Sequence, residues 1–271
     1  MGRVARSVGR VLYQVGKATS ALSTFCHYQA ASTLRLAELR DGITFFWGPF
    51  YSHEVDVAGG LMRWEERLVE LCVRPGASVL LIGSGTGRDL IPLVERGCRV
   101  TGIEPSPAMA TAERILRERR LSATLVAGFF EDTALTELFD VVMFSWYSYS
   151  YIPESRRRIA ALKKAASHLK AGGQIAISYP RVQRPRPRES SLRRRMIRFT
   201  HVIGALSGSD WRLEPGDHVR MVDRRRPRYQ YWHDFQPEEI DAEIAAAGMQ
   251  VIVRRDPPED PMVVVAPAKP E

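Results

Sequence analysis

The 271-residue chain reads as an α/β protein: a doubly wound, seven-stranded, mostly parallel sheet with a C-terminal antiparallel hairpin, behind an N-terminal helical cap. Three observations predict this. Val79-Leu80-Leu81-Ile82 is apolar without alternation, as in a parallel strand covered on both faces, and it empties into the turn Gly83-Ser84-Gly85-Thr86-Gly87. Apolar runs and helical stretches then alternate, which demands a largely parallel sheet with helices on both sides. The last two apolar runs, 249–254 and 262–267, are joined only by Arg255-Asp256-Pro257-Pro258-Glu259-Asp260-Pro261. No crossover helix fits that length, so these strands must run antiparallel.

The elements follow in order. Val4, Val8, Val11, Leu12 and Val15 recur at helical spacing among Arg3, Arg6, Arg10 and Lys17. This predicts an amphipathic N-terminal helix lying over the active site, with a membrane-surface helix or a transit peptide as the competing readings. Asp41 to Asp56 is aromatic-rich (Phe45, Phe46, Trp47, Phe50, Tyr51, His53), with a turn expected at Gly48-Pro49. A helix is expected near 58–72, stopped by Pro75-Gly76. Strands fall near 78–82, 99–104, 123–127, 139–144, 173–178, 249–254 and 262–267. Helices fall near 88–96, 107–120, 154–170 and 237–247. Leu169-Lys170-Ala171-Gly172-Gly173-Gln174 reads as a helix stop and turn. The expected organisation is a cap over 1–57 and a main domain over 58–271, carrying an arginine-rich lid insert at 181–228.

Composition bounds the function. At 45% hydrophobic the chain can bury a full core, and no run of 18 apolar residues suggests a membrane span. Cys26, Cys72 and Cys98 are too sparse for a metal site and suit a reducing cytosol, so a cytoplasmic protein without a metal is expected. The net charge of +8 is uneven: residues 181–228 hold fourteen arginines, no lysine and five acids, a local +9 that leaves −1 elsewhere. The protein as a whole is not nucleic-acid-like.

The site begins at the glycine turn. Glycine tolerates positive φ and has no Cβ, so a ligand can approach the backbone closely. About 20 residues further on, Cys98-Arg99-Val100-Thr101-Gly102-Ile103 runs into Glu104. An acid there is placed to accept hydrogen bonds from ribose hydroxyls. A dinucleotide and S-adenosylmethionine both fit a turn plus an acid. The third glycine, Gly87, comes one position earlier than the dinucleotide pattern requires, and the sixth position is Arg88.

With that spacing, followed by Asp89, the chain resembles the class I S-adenosylmethionine-dependent methyltransferases, of the small-molecule type, from about Trp64 to the C-terminus. The resemblance implies a Rossmann-like methyltransferase fold and S-adenosylmethionine as cofactor, with S-adenosylhomocysteine as product. It implies that Gly83, Ser84, Gly85, Thr86 and Gly87 pass under the methionine and ribose, that Asp89 reaches the ammonium through water, and that Glu104 takes the ribose diol. Pro105, Ser106 and Met109 lie by the adenine. Gly128, Phe129 and Phe130 follow the third strand. Family members often carry Gly-Asp-Ala here, so with Phe129 in place of the acid, either Glu131 or Asp132 takes over, or backbone groups and aromatic packing hold the adenine. Ser145, Trp146, Tyr147, Ser148, Tyr149, Ser150 and Tyr151 follow the fourth strand, where aromatic faces can enclose a sulfonium. Tyr147 and Tyr151 are candidates to orient the acceptor. This segment lacks the Asn-Pro-Pro-Tyr of enzymes acting on exocyclic base nitrogens. Arg228 to Ile240 resembles the family's aromatic stretch before the last helix, and its His233 is the candidate base, since imidazole titrates near neutrality.

The arginine-rich insert admits three uses: clamping an anionic acceptor, tracking RNA phosphates, or holding an anionic membrane surface together with the N-terminal helix. A solvated loop without a ligand is the plain alternative. Arg184-Pro185-Arg186-Pro187-Arg188 must be extended, whereas Arg193 to Phe199 has helical periodicity. The leading expectation is methyl transfer to O or N of a small-molecule or peptide-like acceptor. An RNA methyltransferase and a non-catalytic cofactor-binding protein are the alternatives.

Overall fold

The structure, a computed structural model, describes residues 2–50, 57, 59–181, 191–223, 225–236, 238–255 and 261–268, without side chains at 2–11, 49–50 and 191–194. The Arg184 to Arg188 run, Arg224, Pro237, Tyr51, His53 and the 256–260 connection lie outside the described residues. Two helices open the chain, α1 (Gly2–Ser32) and α2 (Leu36–Phe50). The core elements are α3 (Arg63–Cys72), β1 (Ser78–Ile82), α4 (Leu90–Glu95), β2 (Arg99–Glu104), α5 (Met109–Arg119), β3 (Thr124–Ala127), β4 (Phe139–Phe144), α6 (Ser155–Ser167) and β5 (Leu169–Ser178). The inserted segment supplies α7 (Ser191–Ser207), β6 (Asp217–Asp223) and β7 (Arg228–His233). The chain closes with α8 (Glu239–Ala246), β8 (Met249–Arg255) and β9 (Met262–Pro267).

Seven strands form one sheet in the order β3-β2-β1-β4-β5-β9-β8. β1 pairs in parallel with β2 and β4, while β9 runs antiparallel to both β5 and β8. The sheet order reverses at β1, so the carboxyl ends of β1 and β4 open a crevice there, the usual ligand position in such folds. β1 is buried along its whole length, as its unbroken apolar run requires.

Two apolar clusters flank the sheet. One holds Leu80, Val142, Ile175, Phe235 and Ile240, the other Val79, Leu81, Leu90, Ile115 and Val264. A third core is separate from both. It joins Tyr28, Leu36, Leu39 and Ile43 of the N-terminal helices to Trp211, Leu213, Val219, Tyr229 and Tyr231 of the insert. The N-terminal helices and the insert therefore bury their apolar faces against each other.

Several boundaries differ from expectation. β6 and β7 make a separate two-stranded antiparallel sheet within the insert. α2 continues through Gly48-Pro49 instead of turning there. β5 begins at Leu169, because Phe139 N–H bonds to the His168 carbonyl and draws the expected turn into pairing with β4.

Candidate active site

Beyond the carboxyl ends of β1, β2 and β4 lies a cleft of about 1050 Å3, partly open to solvent. Backbone bonds shape the turn after β1: Gly83 and Ser84 N–H both donate to the Ile103 carbonyl, at 2.9 and 3.1 Å. The three glycines of the turn serve different needs. A Cβ on Gly83 would meet Ser148 Cβ at 2.8 Å, and one on Gly87 would meet Ala112 Cβ at 3.0 Å. Gly85, at φ +50°, has only open space before it, so its bare backbone faces the open cleft.

Glu104 closes the turn. Its Oε2 accepts from Gly85 N–H and its Oε1 from Ser106 N–H, both at 2.9 Å. Burial raises its pKa, and these hydrogen bonds oppose the rise. The carboxylate lines the cleft and keeps lone pairs for further donors.

Asp89 lies on the same wall. Burial, and secondarily repulsion from Glu65, lift its pKa to about 7 against the pull of Arg88. Ser145 Oγ donates to Asp89 Oδ2, while Oδ1 faces the Arg88 guanidinium at 2.6 Å without an aligned N–H. Arg88 also grips both Glu65 oxygens at 2.5 Å and lies 4.6 Å above the Trp146 ring. Ser84 Oγ is buried with no hydrogen-bond partner among the described residues. An orphaned hydroxyl, a buried carboxylate with a raised pKa and an open glycine face together fit a polar ligand.

The opposite end is closed by the N-terminal segment. Arg40 of α2 reaches Glu131 at 2.8 Å and Asp132 at 2.7 Å, with its guanidinium 4.5 Å from the Phe129 ring centre. Both carboxylates expected to replace the absent acid at 129 are thus turned to Arg40. Ile43 and Trp47 complete this wall, and Trp47 meets Tyr151 edge-on at 5.2 Å. Sequence reading missed Arg40, Ile43 and Trp47. The only signal was the aromatic density around Trp47. The covering helix is α2, not α1 as expected.

Most expected residues line this cleft together: Gly83, Ser84, Gly85, Thr86, Asp89, Glu104, Pro105, Ser106, Gly128, Phe129, Phe130, Ser145, Trp146 and Tyr151. Besides His233, three expected residues do not. Gly87 packs beneath the turn against α5, Met109 starts α5 away from the cleft lining, and Tyr147 turns elsewhere. Trp146 and Tyr147 adopt φ +40° and +62°, a costly left-handed pair for bulky residues. The bend sends Trp146 to the cleft and Tyr147 to an adjoining groove of about 560 Å3. Tyr149, two residues after Tyr147, is fully buried and donates to Glu243 Oε2 at 2.7 Å.

Tyr151 lines both spaces. The groove's other walls are Tyr147, Ser150 and Pro180, and Arg220, Gln230, Trp232 and Asp234 from the β6–β7 region. His218 stacks on Trp232 with ring centres 5.0 Å apart and approaches Asp234 at 3.0 Å. Arg220 donates to Gln230 Oε1 at 3.1 Å.

His233 stands apart from both spaces. It is fully buried, with Nδ1 2.7 Å from Asp217 Oδ1 and Nε2 2.9 Å from Glu239 Oε1. Burial alone would depress its pKa, but the two carboxylate hydrogen bonds outweigh burial and raise it to about 9. Both nitrogens face acceptors, so the ring is a protonated strut with no lone pair for a substrate proton. Arg158, Glu243 and Tyr231 extend this network across α6, α8 and β7.

Comparison with known proteins agrees with this fold. A family model described as a methyltransferase domain matches residues 80–175. A cypemycin N-terminal methyltransferase from a Streptomyces species is 36% identical over 115 residues, 42% of this chain and 45% of that protein. The chain therefore spans less than half the length of that curated relative. The CcbJ methyltransferase of Streptomyces caelestis superposes with TM-score 0.58 at 16% identity, over 82% of this chain and 99% of that one. A sugar N-methyltransferase from a Streptoalloteichus species gives 0.50 at 22% identity, over 76% and 86%.

Proposed function

We propose that the chain is a class I S-adenosylmethionine-dependent methyltransferase that moves a methyl group from S-adenosylmethionine to O or N of a small-molecule or peptide-like acceptor, a reading supported by the match of residues 80–175 to a methyltransferase domain. The observation that carries this reading is the cleft itself. Gly85, Glu104 and Asp89 face one space at the sheet's switch point, with polar capacity left over.

In this reading Glu104 accepts the ribose hydroxyls. The open face of Gly85 takes the sugar and methionine chain, and ionised Asp89 takes the ammonium. Phe129, under Arg40, packs against the adenine. Trp146 and Tyr151 supply ring faces for a cationic centre. When bound, the cofactor supplies a methyl group already activated on a sulfonium. What remains for this chain is alignment: Tyr151, shared by both spaces, positions an acceptor lying in the groove. Holding two reactants in line removes several kcal/mol of barrier without a covalent step. Asp234 offers a carboxylate to an acceptor amine and Arg220 a cation to an acceptor carboxylate. The named Streptomyces relative is described as an N-terminal methyltransferase, which supports a peptide-like acceptor here.

Calorimetry tests the reading directly. Wild-type protein is expected to bind S-adenosylhomocysteine, and Glu104→Ala to bind it at least tenfold more weakly, in line with loss of a charge-assisted hydrogen bond. Absence of binding by folded wild-type protein would remove the proposal.

A further inference from the structure

We propose that α1 and α7 together form a surface that lies on an anionic lipid bilayer. Leu12, Val15 and Leu22 of α1 are 65%, 53% and 61% exposed. Spaced three and ten residues apart, they share one stripe of the helix. On α7, Phe199, Val202 and Leu206 are 49%, 54% and 81% exposed at a spacing of three and four, opposite the buried Ile197 and Thr200. Phe25 of α1 stacks on Phe199 of α7 with ring centres 6.2 Å apart, so the two stripes adjoin. Scattered exposed apolar residues are ordinary, but two adjoining stripes at helical period are not.

Charge identifies the occupant. α1 contains four basic residues and no acid, and so does α7. Together they carry +8, equal to the net charge of the whole chain, and leave the remainder neutral. A second copy would bring the same charge against this face and be repelled. A nucleic acid would use the charge and leave the apolar stripes exposed. An anionic bilayer uses both, with apolar side chains at the acyl boundary and Lys17, Arg195 and Arg198 at the headgroups. No described helix is long and apolar enough to cross a membrane, so the helices lie in the interface plane. Tyr28 of α1 donates to the Asp217 carbonyl at 2.8 Å, which couples this surface to the β6–β7 hairpin lining the groove.

The test is vesicle sedimentation of the full chain at low ionic strength. Retention is expected on phosphatidylglycerol vesicles, not on phosphatidylcholine vesicles, with release as salt rises. Val202→Glu with Leu206→Glu, and separately Lys17→Glu with Arg198→Glu, are expected to weaken retention roughly tenfold or more, with unchanged circular dichroism melts. Equal retention on both vesicle types, or none on either, overturns the proposal. Dimers in ultracentrifugation that the glutamates abolish, without vesicle binding, assign the face to self-association and overturn it. RNA retention indifferent to Val202→Glu with Leu206→Glu, again without vesicle binding, overturns it in favour of nucleic acid.

Discussion

Single residues decide what the cleft can hold. Gly85 combines φ +50° with empty space where a Cβ would stand. Gly85→Val is expected to fold with a loss of about 1–2 kcal/mol from left-handed strain, while S-adenosylhomocysteine binding by calorimetry falls at least a hundredfold. Wild-type affinity in this variant would detach the turn from the ligand. Asp89 makes a prediction in pH. Its folded pKa of about 7 lies above the ordinary 3.8, so the folded protein holds a proton the unfolded chain has released, and stability falls as pH rises between those values. A cationic ligand favours the ionised form, so S-adenosylmethionine affinity is expected to rise with pH up to about 7 and then level off. Below that pH, binding should release a proton, measurable by calorimetry in buffers of different ionisation enthalpy. Asp89→Asn should flatten the profile. For His233 the sign is the opposite. Its pKa is raised from 6.5 to about 9, so its contribution to stability is complete below pH 6.5 and lost as pH passes through about 9. His233→Gln leaves the buried Asp217 without its cation and is expected to cost about 3 kcal/mol in urea unfolding at pH 6, with a smaller cost above pH 9.

At the scale of elements, the cleft depends on α2, which arrives from outside the sheet domain. Gly42 lets α2 approach β7 so closely that a Cβ would stand 2.3 Å from the Tyr229 carbonyl oxygen. That obstacle is backbone and cannot rotate away. Gly42→Ala is therefore expected to cost about 1–3 kcal/mol in thermal or urea unfolding and to weaken cofactor affinity by loosening the Arg40 clasp. Unchanged stability would mean that α2 is not held there. Such dependence was not legible in the sequence. Arg40 lies 91 positions from Glu131, and nothing in its neighbourhood announces a partner so far along the chain. The β6–β7 hairpin was half legible: the aromatic run at 228–235 stood out by its resemblance to the family's stretch before the last helix, but its partner 217–223 did not. His233 was singled out by its resemblance to the family's histidine before the last helix and by its titration near neutrality, and the structure buries it away from both spaces. Alternation along β7 gives Trp232 to the groove and its neighbour to the interior, and sequence alone does not fix which face is which.

For the whole molecule, the sheet was legible because its constraints are local. Val79 to Ile82 must be buried on both faces, and the 255–261 connection is too short for a helix, so the antiparallel close at β9 and β8 follows from chain length alone. The turn and Glu104 were legible because each ends a buried strand at a sequence spacing that local pattern alone reveals. The third core, where the N-terminal helices meet the insert, was not, since its partners lie far apart in the chain and each reads only as amphipathic. The central claim is that the glycine turn and Glu104 together hold the adenosyl group. A crystal of the protein grown with S-adenosylhomocysteine tests it most directly. The expected map shows the nucleoside along Gly83–Gly87 with both ribose hydroxyls within hydrogen-bond distance of the Glu104 carboxylate. A map with the nucleoside elsewhere, or with its ribose turned away from Glu104, would contradict it.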